Sequence, residues 1–317
     1  MQHLNGLSKF VRKKTSSVFQ RSEACLVNKD NHVLLPEIQP KQVSCLCLAD
    51  HSTFLYSESD GIVLLANTDS FEVLKRWSFH TLEVTKLVYG HVIQHAFSAS
   101  RDKSVIVWRI DQDGKGQVFI GHQLVVTGLT VSPDNQLLCT GSRDNTVRIW
   151  DVSTSQCICC NQSSRNLVTD MRWAPENNFV IQTSEDKSVR MWDSRTLEVC
   201  SILGKKMHIQ SSCAISSDSN FCVTTSAGFS SEGCEVTLWD LRERRLVEEF
   251  REHEQAVMAS TFLPLKTELT KSSQYHFVSG SKDGMICLWN KDKIGTFEKN
   301  SYVCSLNMLY VFDSFNK

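Results

Sequence analysis

The 317-residue chain has almost no net charge, since 34 Lys+Arg against 35 Asp+Glu leave a formal −1. That removes the global field by which chains seek nucleic acid or an anionic membrane. No apolar run approaches the roughly 18 residues of a membrane span. No apolar secretory leader is present, and Gln2 stands where a myristoylation signal needs glycine. Chemical signatures are missing as well: no Gly-rich phosphate cradle, no His-Glu-x-x-His, no Ser elbow. The expectation is therefore a non-enzymatic, cytoplasmic chain without cofactor, nucleic-acid partner or stable membrane insertion.

A hydrophobic content of 41% suffices for a core, and the length fits two average domains or one large all-β domain. Thirteen cysteines are present, many in strand-like segments such as those of Cys139, Cys222 and Cys287, where a thiol acts as a small hydrophobe. Without an export signal they are expected to be reduced. Cys45-Leu-Cys47 and Cys157-Ile-Cys-Cys160 come nearest to metal ligands. Two cysteines on one strand face still need two further ligands to make a zinc site, so no metal is expected.

The dominant signal is repetition. Trp108, Trp150 and Trp192 are each 42 residues apart, and Trp239 and Trp289 follow after 47 and 50. One further step back lands on Ala66. Cys139-Thr-Gly-Ser-Arg-Asp-Asn-Thr-Val-Arg-Ile-Trp-Asp151 is the fullest copy: small polar residues, a turn at Asp144-Asn145, then period-2 alternation. In five of six units an aspartate stands six residues before the repeat position: Asp60, Asp102, Asp144, Asp186 and Asp283. His80 and His122 each precede their tryptophan by 28 residues, and His253 precedes Trp289 by 36, the excess matching an insertion around Pro264–Ser273.

This pattern resembles the WD40 β-propeller family, with its period of about 40–45 residues, terminal Trp-Asp and four strands per blade. The resemblance implies an all-β propeller of seven blades with an incomplete last blade, or alternatively six. Residues 32–317 are expected to form one propeller domain, and residues 1–31, by their composition, a basic, disordered tail. The tail holds Lys9, Arg12, Lys13, Lys14 and Arg21; an amphipathic helix or a transit peptide are its other readings. His32–Ile38 is expected to add an outer strand to the last blade, where Pro36 is tolerated. Blade six is expected to end near Asn290, with Tyr302–Phe312 giving one or two strands of a seventh. The resemblance also implies a hydrogen-bonded tetrad in three units: His80, Ser98, Asp102 and Trp108; His122, Thr140, Asp144 and Trp150; His253, Ser279, Asp283 and Trp289. A His/Ser/Asp set invites a catalytic-triad reading, but three equally spaced copies point to architecture. Blade four has Gln182 at the strand position and Ser164 where histidine is expected.

Function is expected on rim loops, as a scaffold for other proteins held on a monomeric propeller. The residues before the turn aspartates are Ser59, Arg101, Arg143, Glu185 and Lys282, which predicts a mildly basic top face. Leu82, Leu124 and Ile209 adjoin it, and Phe229 lies in an insertion, Ser226–Cys234, expected to be a mobile, sticky loop. On the bottom face, Trp192-Asp-Ser-Arg195 and Trp239-Asp-Leu-Arg242 resemble the box by which WD40 substrate receptors dock to the DDB adaptor of cullin-4 ubiquitin ligases. The alternative is therefore a ligase receptor using Arg195 and Arg242. Val125–Asp134, Ser164–Thr169, Gln182–Lys187 and Gly233–Glu235 further resemble a WD-repeat protein linked to cilia, which implies a ciliary role.

Overall fold

A computed structural model describes residues 42–111, 116–263, 276–291 and 297–303. The basic tail and His32–Ile38 lie outside them. The described chain is all β, folded into six four-stranded antiparallel sheets. Blade 1 comprises β1 (Val43–Leu48), β2 (Thr53–Glu58), β3 (Val63–Asn67) and β4 (Val73–Trp77). Blade 2 comprises β5 (Val84–Gly90), β6 (His95–Ser100), β7 (Ser104–Arg109) and β8 (Gln117–Ile120). Blade 3 comprises β9 (Val126–Val131), β10 (Leu137–Ser142), β11 (Thr146–Asp151) and β12 (Cys157–Gln162). Blade 4 comprises β13 (Val168–Trp173), β14 (Phe179–Ser184), β15 (Ser188–Asp193) and β16 (Val199–Lys205). Blade 5 comprises β17 (Ile209–Ile215), β18 (Phe221–Ala227), β19 (Val236–Asp240) and β20 (Arg245–Phe250). Blade 6 comprises β21 (Val257–Phe262), β22 (His276–Ser281), β23 (Met285–Lys291) and β24 (Phe297–Val303).

The blade count corrects one expectation. β24 pairs with β23 throughout its length, Met285 opposite Val303 and Lys291 opposite Phe297. Blade 6 thus runs past Asn290, and Tyr302 lies in its outer strand instead of starting a seventh blade. The propeller has six blades among the described residues.

Blades 2 to 5 are covered on both faces by their neighbours, so their inner strands are buried on both sides. In β11, Val147, Ile149 and Trp150 are all at most 2% exposed, although they alternate across the sheet. The core accordingly sits in the seams between blades. Trp108 packs in the seam of blades 1 and 2, Trp150 in that of 2 and 3, Trp192 in 3 and 4, Trp239 in 4 and 5, and Trp289 in 5 and 6. In three seams an aromatic at the end of the preceding outer strand meets the indole: Trp77 lies 5.9 Å from Trp108, Phe119 5.7 Å from Trp150 and Phe250 4.7 Å from Trp289. Burying one such side chain removes about 150–250 Å² from water, worth a few kcal/mol at about 25 cal/mol per Å².

A second device joins the innermost strands. Each begins with a β-bulge that leaves one residue without a cross-strand partner: Ser44, Thr85, Thr127, Thr169, Ser211 and Met258. A bulge re-aims its side chain, and here four of the six reach the next blade. Thr85 Oγ1 donates to the Val126 carbonyl at 2.5 Å, Thr127 Oγ1 to Val168 at 2.5 Å and Thr169 Oγ1 to Gln210 at 2.6 Å. Ser211 Oγ donates to the Val257 carbonyl. In blade 1 the hydroxyl of Ser44 stays at home on Ser57 (2.7 Å). In blade 6 the bulge residue, Met258, has no hydroxyl to offer.

Replacing Thr127 by the near-isosteric valine should lower stability by about 0.5–1.5 kcal/mol, since it removes one hydrogen bond and strands a carbonyl. Urea unfolding measures it; an unchanged midpoint would show that the hydroxyl contributes nothing to the seam.

Candidate functional site

The hairpin turns between the second and third strands define the top rim. In each aspartate-bearing turn the residue after the aspartate is left-handed: Gly61 (φ 85°), Lys103 (73°), Asn145 (67°), Lys187 (72°) and Gly284 (80°). Three of these are not glycine, so the conformation costs energy. The aspartate offsets that by accepting the N–H two residues on, as in Ser104 N to Asp102 Oδ1 (3.0 Å) and Thr146 N to Asp144 Oδ1 (2.8 Å).

The other carboxylate oxygen meets the histidine. His122 Nδ1 is 3.0 Å from Asp144 Oδ2, its Nε2 is 2.7 Å from Thr140 Oγ1, and Trp150 Nε1 donates to the same hydroxyl at 2.8 Å. The donors order themselves: indole N–H to hydroxyl, hydroxyl O–H to Nε2, Nδ1–H to carboxylate. The set recurs with His80, Ser98, Asp102 and Trp108 (2.8, 2.7 and 2.7 Å) and with His253, Ser279, Asp283 and Trp289 (3.1, 2.9 and 2.9 Å). Ser98, Thr140 and Ser279 are fully buried and each already accepts an indole N–H, so these three hydroxyls serve the architecture. Burial alone would raise the Asp144 pKa, but hydrogen bonds from His122 and Thr146 outweigh it and hold the carboxyl well below its ordinary range. Asp102 is depressed in the same way by His80 and Ser104 against its burial.

Blades 4 and 5 fill the same space with other chemistry. In blade 4 it is Asn166, two residues past Ser164, that takes the histidine's place. Its Nδ2 donates to Gln182 Oε1 (3.2 Å), Trp192 Nε1 donates to that oxygen (2.7 Å), and Arg190 Nη1 donates to Asn166 Oδ1 (2.6 Å). Arg190 also pairs with the turn carboxylate of Asp186. Blade 5 puts Lys206 there: it is 9% exposed, 3.4 Å from Glu235, paired with Glu249 and 5.9 Å from the Trp239 ring. Lys206 stands 33 residues before Trp239, five more than 28, the same excess by which the Trp192–Trp239 spacing grows from 42 to 47 residues; that arithmetic could have found it.

Of the top-face residues, Arg101 Nε pairs with Glu83 at 2.7 Å and Arg143 pairs with Glu185 of the next blade. Two of the three cations of the expected mildly basic face are thus held in ion pairs, and Lys282 is exposed. Leu82 (52%), Leu124 (49%) and Ile209 (38%) are exposed. Phe229 is 83% exposed on a two-residue hairpin: its N–H donates to Glu232 O (2.9 Å), the Glu232 N–H returns to Phe229 O (3.1 Å), and Ser230 and Ser231 between them are both left-handed. The Ser231 N–H donates to Glu254 O (2.8 Å) in the histidine loop of blade 6. The insertion is thus a braced hairpin, not the loose loop its composition predicts.

On the bottom rim Arg195 and Arg242 lie on separate blades, each turned onto the aspartate of its own box, Asp193 (2.8 Å) and Asp240 (3.2 Å). Arg195 holds the Asp193 carboxyl down to about 2. Among the cysteines, Cys45 is buried against Ser57 Oγ (2.8 Å), and burial pushes its thiol up to about 12. Cys157 and Cys160 lie exposed on β12.

Replacing Asp144 by alanine strands buried donors and should cost about 1–3 kcal/mol; an unchanged melting curve would count against the tie. Because the folded carboxyls titrate below their unfolded value of about 3.9, their stabilisation is complete above that pH and is lost as pH falls below it. Melting temperature should fall steeply below about pH 4, and less steeply in Asp144→Asn.

Comparison with known proteins matches the family model described as WD domain, G-beta repeat, to residues 115–151, 155–193 and 244–290. Pre-mRNA-processing factor 19 of Bos taurus is 30% identical over 86 residues, which is 27% of this chain. The Mus musculus protein of that name is 29% identical over a stretch of the same length. The chain matches only 17% of the length of these curated relatives. Together with the six four-stranded sheets, these repeats make the chain an all-β WD40 β-propeller.

Proposed function

We propose that the chain is a non-catalytic scaffold that holds other proteins on the top face of its propeller. The observation that carries this reading is Phe229. An aromatic 83% exposed on a hairpin of two left-handed serines is costly both in hydration and in backbone conformation. The brace from Ser231 to Glu254 pre-organises it, which lowers the entropy lost when a partner docks. Leu82, Leu124 and Ile209 add apolar contact, and the Arg101–Glu83 and Arg143–Glu185 pairs offer polar rim contacts that fix orientation. A cytoplasmic and ciliary place of action belongs to the same proposal and rests on the four segments that resemble a ciliary WD-repeat protein.

A second reading is supported by the bottom rim. Arg195 and Arg242 keep 71% and 62% of their side chains exposed while their own aspartates fix the guanidinium planes. An arginine held in this way is suited to an acidic partner such as the cullin-4 adaptor.

One affinity purification separates the two. Phe229→Ala should weaken top-face partners by about 2 kcal/mol or more if the ring is an anchor, leaving the Arg195→Ala/Arg242→Ala double variant unaffected for those partners. Unchanged recovery with Phe229→Ala would overturn the scaffold surface. Absence of adaptor from the wild-type sample would end the ligase reading.

A further inference from the structure

The outer strands of the blades are sheet edges, and edges are normally guarded by charge or proline. β4 carries Lys75 and Arg76, β16 ends in Lys205, β20 carries Arg245, Glu248 and Glu249, and β24 carries Glu298 and Lys299. β8 is only four residues long. β12, Cys-Ile-Cys-Cys-Asn-Gln, is six residues long with neither charge nor proline. It pairs with β11 on one side and with no strand on the other among the described residues. Ile158 at its lower end is 54% exposed.

A cleft of about 430 Å³ opens beside that lower end, within the range of about 300–1,000 Å³ that ligand sites occupy. Ile158, Cys159 and Trp173 form its apolar wall, and Arg195 lines it from the bottom loop of blade 4. Asp193 engages Arg195 through Nε (3.2 Å) and Nη2 (2.8 Å), which fixes the plane and leaves the end-on edge with Nη1 to meet a second carboxylate. Of the two acids on the lining, Asp134 is tied to Ser132 Oγ (2.5 Å) and Gln136 N (3.1 Å). Glu176 remains to disfavour an anionic side chain next to that carboxylate.

We propose that β12 is a β-augmentation site: an extended peptide adds antiparallel to it as a fifth strand of blade 3, and its C-terminal carboxylate lands on Arg195. The direction follows from the fold. β12 runs from the bottom rim at Cys157 towards the top at Gln162, so an antiparallel strand ends at the bottom, beside Arg195. Backbone hydrogen bonds supply the pairing, the cleft takes one apolar side chain near the terminus, and the guanidinium reads the free carboxylate. This is independent of the top-face reading, and unlike the ligase reading it does not use Arg242.

The test uses the full chain and a fluorescein-labelled peptide, Thr-Val-Thr-Val-Thr-Leu with a free C-terminus. Binding by anisotropy is expected, with amide exchange at 157–162 slowed in the complex. C-terminal amidation, Arg195→Ala, Ile158→Lys and N-methylation of alternate peptide amides should each weaken binding at least tenfold, while Arg242→Ala leaves it unchanged. Arg195→Ala should have no effect on the amidated peptide. The N-methylated peptide tests the pairing without altering the protein, so a misfolded variant cannot obscure the answer. Equal binding of the N-methylated and unmodified peptides, or no binding at all, would overturn the proposal. So would concentration-dependent dimerisation abolished by Ile158→Lys, which would give the edge to a second copy of this chain.

Discussion

The tie between a histidine and the turn aspartate of the following blade is the interaction on which the rest of the propeller depends. His122 belongs to the connection leaving the outer strand of blade 2, yet its ring hydrogen bonds end on Thr140 and Asp144 of blade 3. Three residues before His122, at the end of β8, Phe119 packs against Trp150, so the polar tie and the apolar wedge act on one seam from opposite ends of a short segment. A buried carboxylate is tolerable only when every lone pair has a donor. Imidazole, hydroxyl and backbone N–H supply those donors, and the left-handed turn follows from keeping the carboxylate in place.

The repeat in the sequence is offset by one strand from the blade in space. The segment 155–193 covers β12 of blade 3 and the first three strands of blade 4, and 115–151 and 244–290 straddle blades in the same way. Each repeat therefore supplies both sides of a seam. Blades 4 and 5 show how far the chemistry can drift inside that frame. Exchanging histidine for Asn166 brings in Gln182 and Arg190, and exchanging it for Lys206 brings in Glu235 and Glu249. A polar network survives substitution only as a whole, because one unmatched member leaves buried groups unsatisfied.

Much of this frame was legible in the residues. The tryptophan spacing marked the third strands, the aspartates marked the top turns, and six units were countable. What escaped was whatever depends on local shape instead of period. Ser164 stood in the periodic position, but a two-residue shift in the loop brings Asn166 to the tie. Arg143 and Glu185 are 42 residues apart and look like separate surface charges, while in space they are neighbours across a seam. Ser226–Cys234 has the composition of a loose loop, yet successive left-handed residues fold its tip into a hairpin. The end of blade 6 is invisible to the period because β24 carries no tryptophan or aspartate to mark it.

The bulge hydroxyls have a consequence for how such a molecule comes apart. They run in one direction, Thr85 to blade 3, Thr127 to blade 4, Thr169 to blade 5, Ser211 to blade 6, and at Met258 the series stops. On the facing side, blade 1 has Ala66 where the other five units have a tryptophan. Among the described residues neither the wedge nor the clasp is supplied where blade 6 would face blade 1. A propeller with equal joints has no preferred place to open; the joints described here predict a split washer, in which loss of order starts at the two lips and travels blade by blade through the joints behind them.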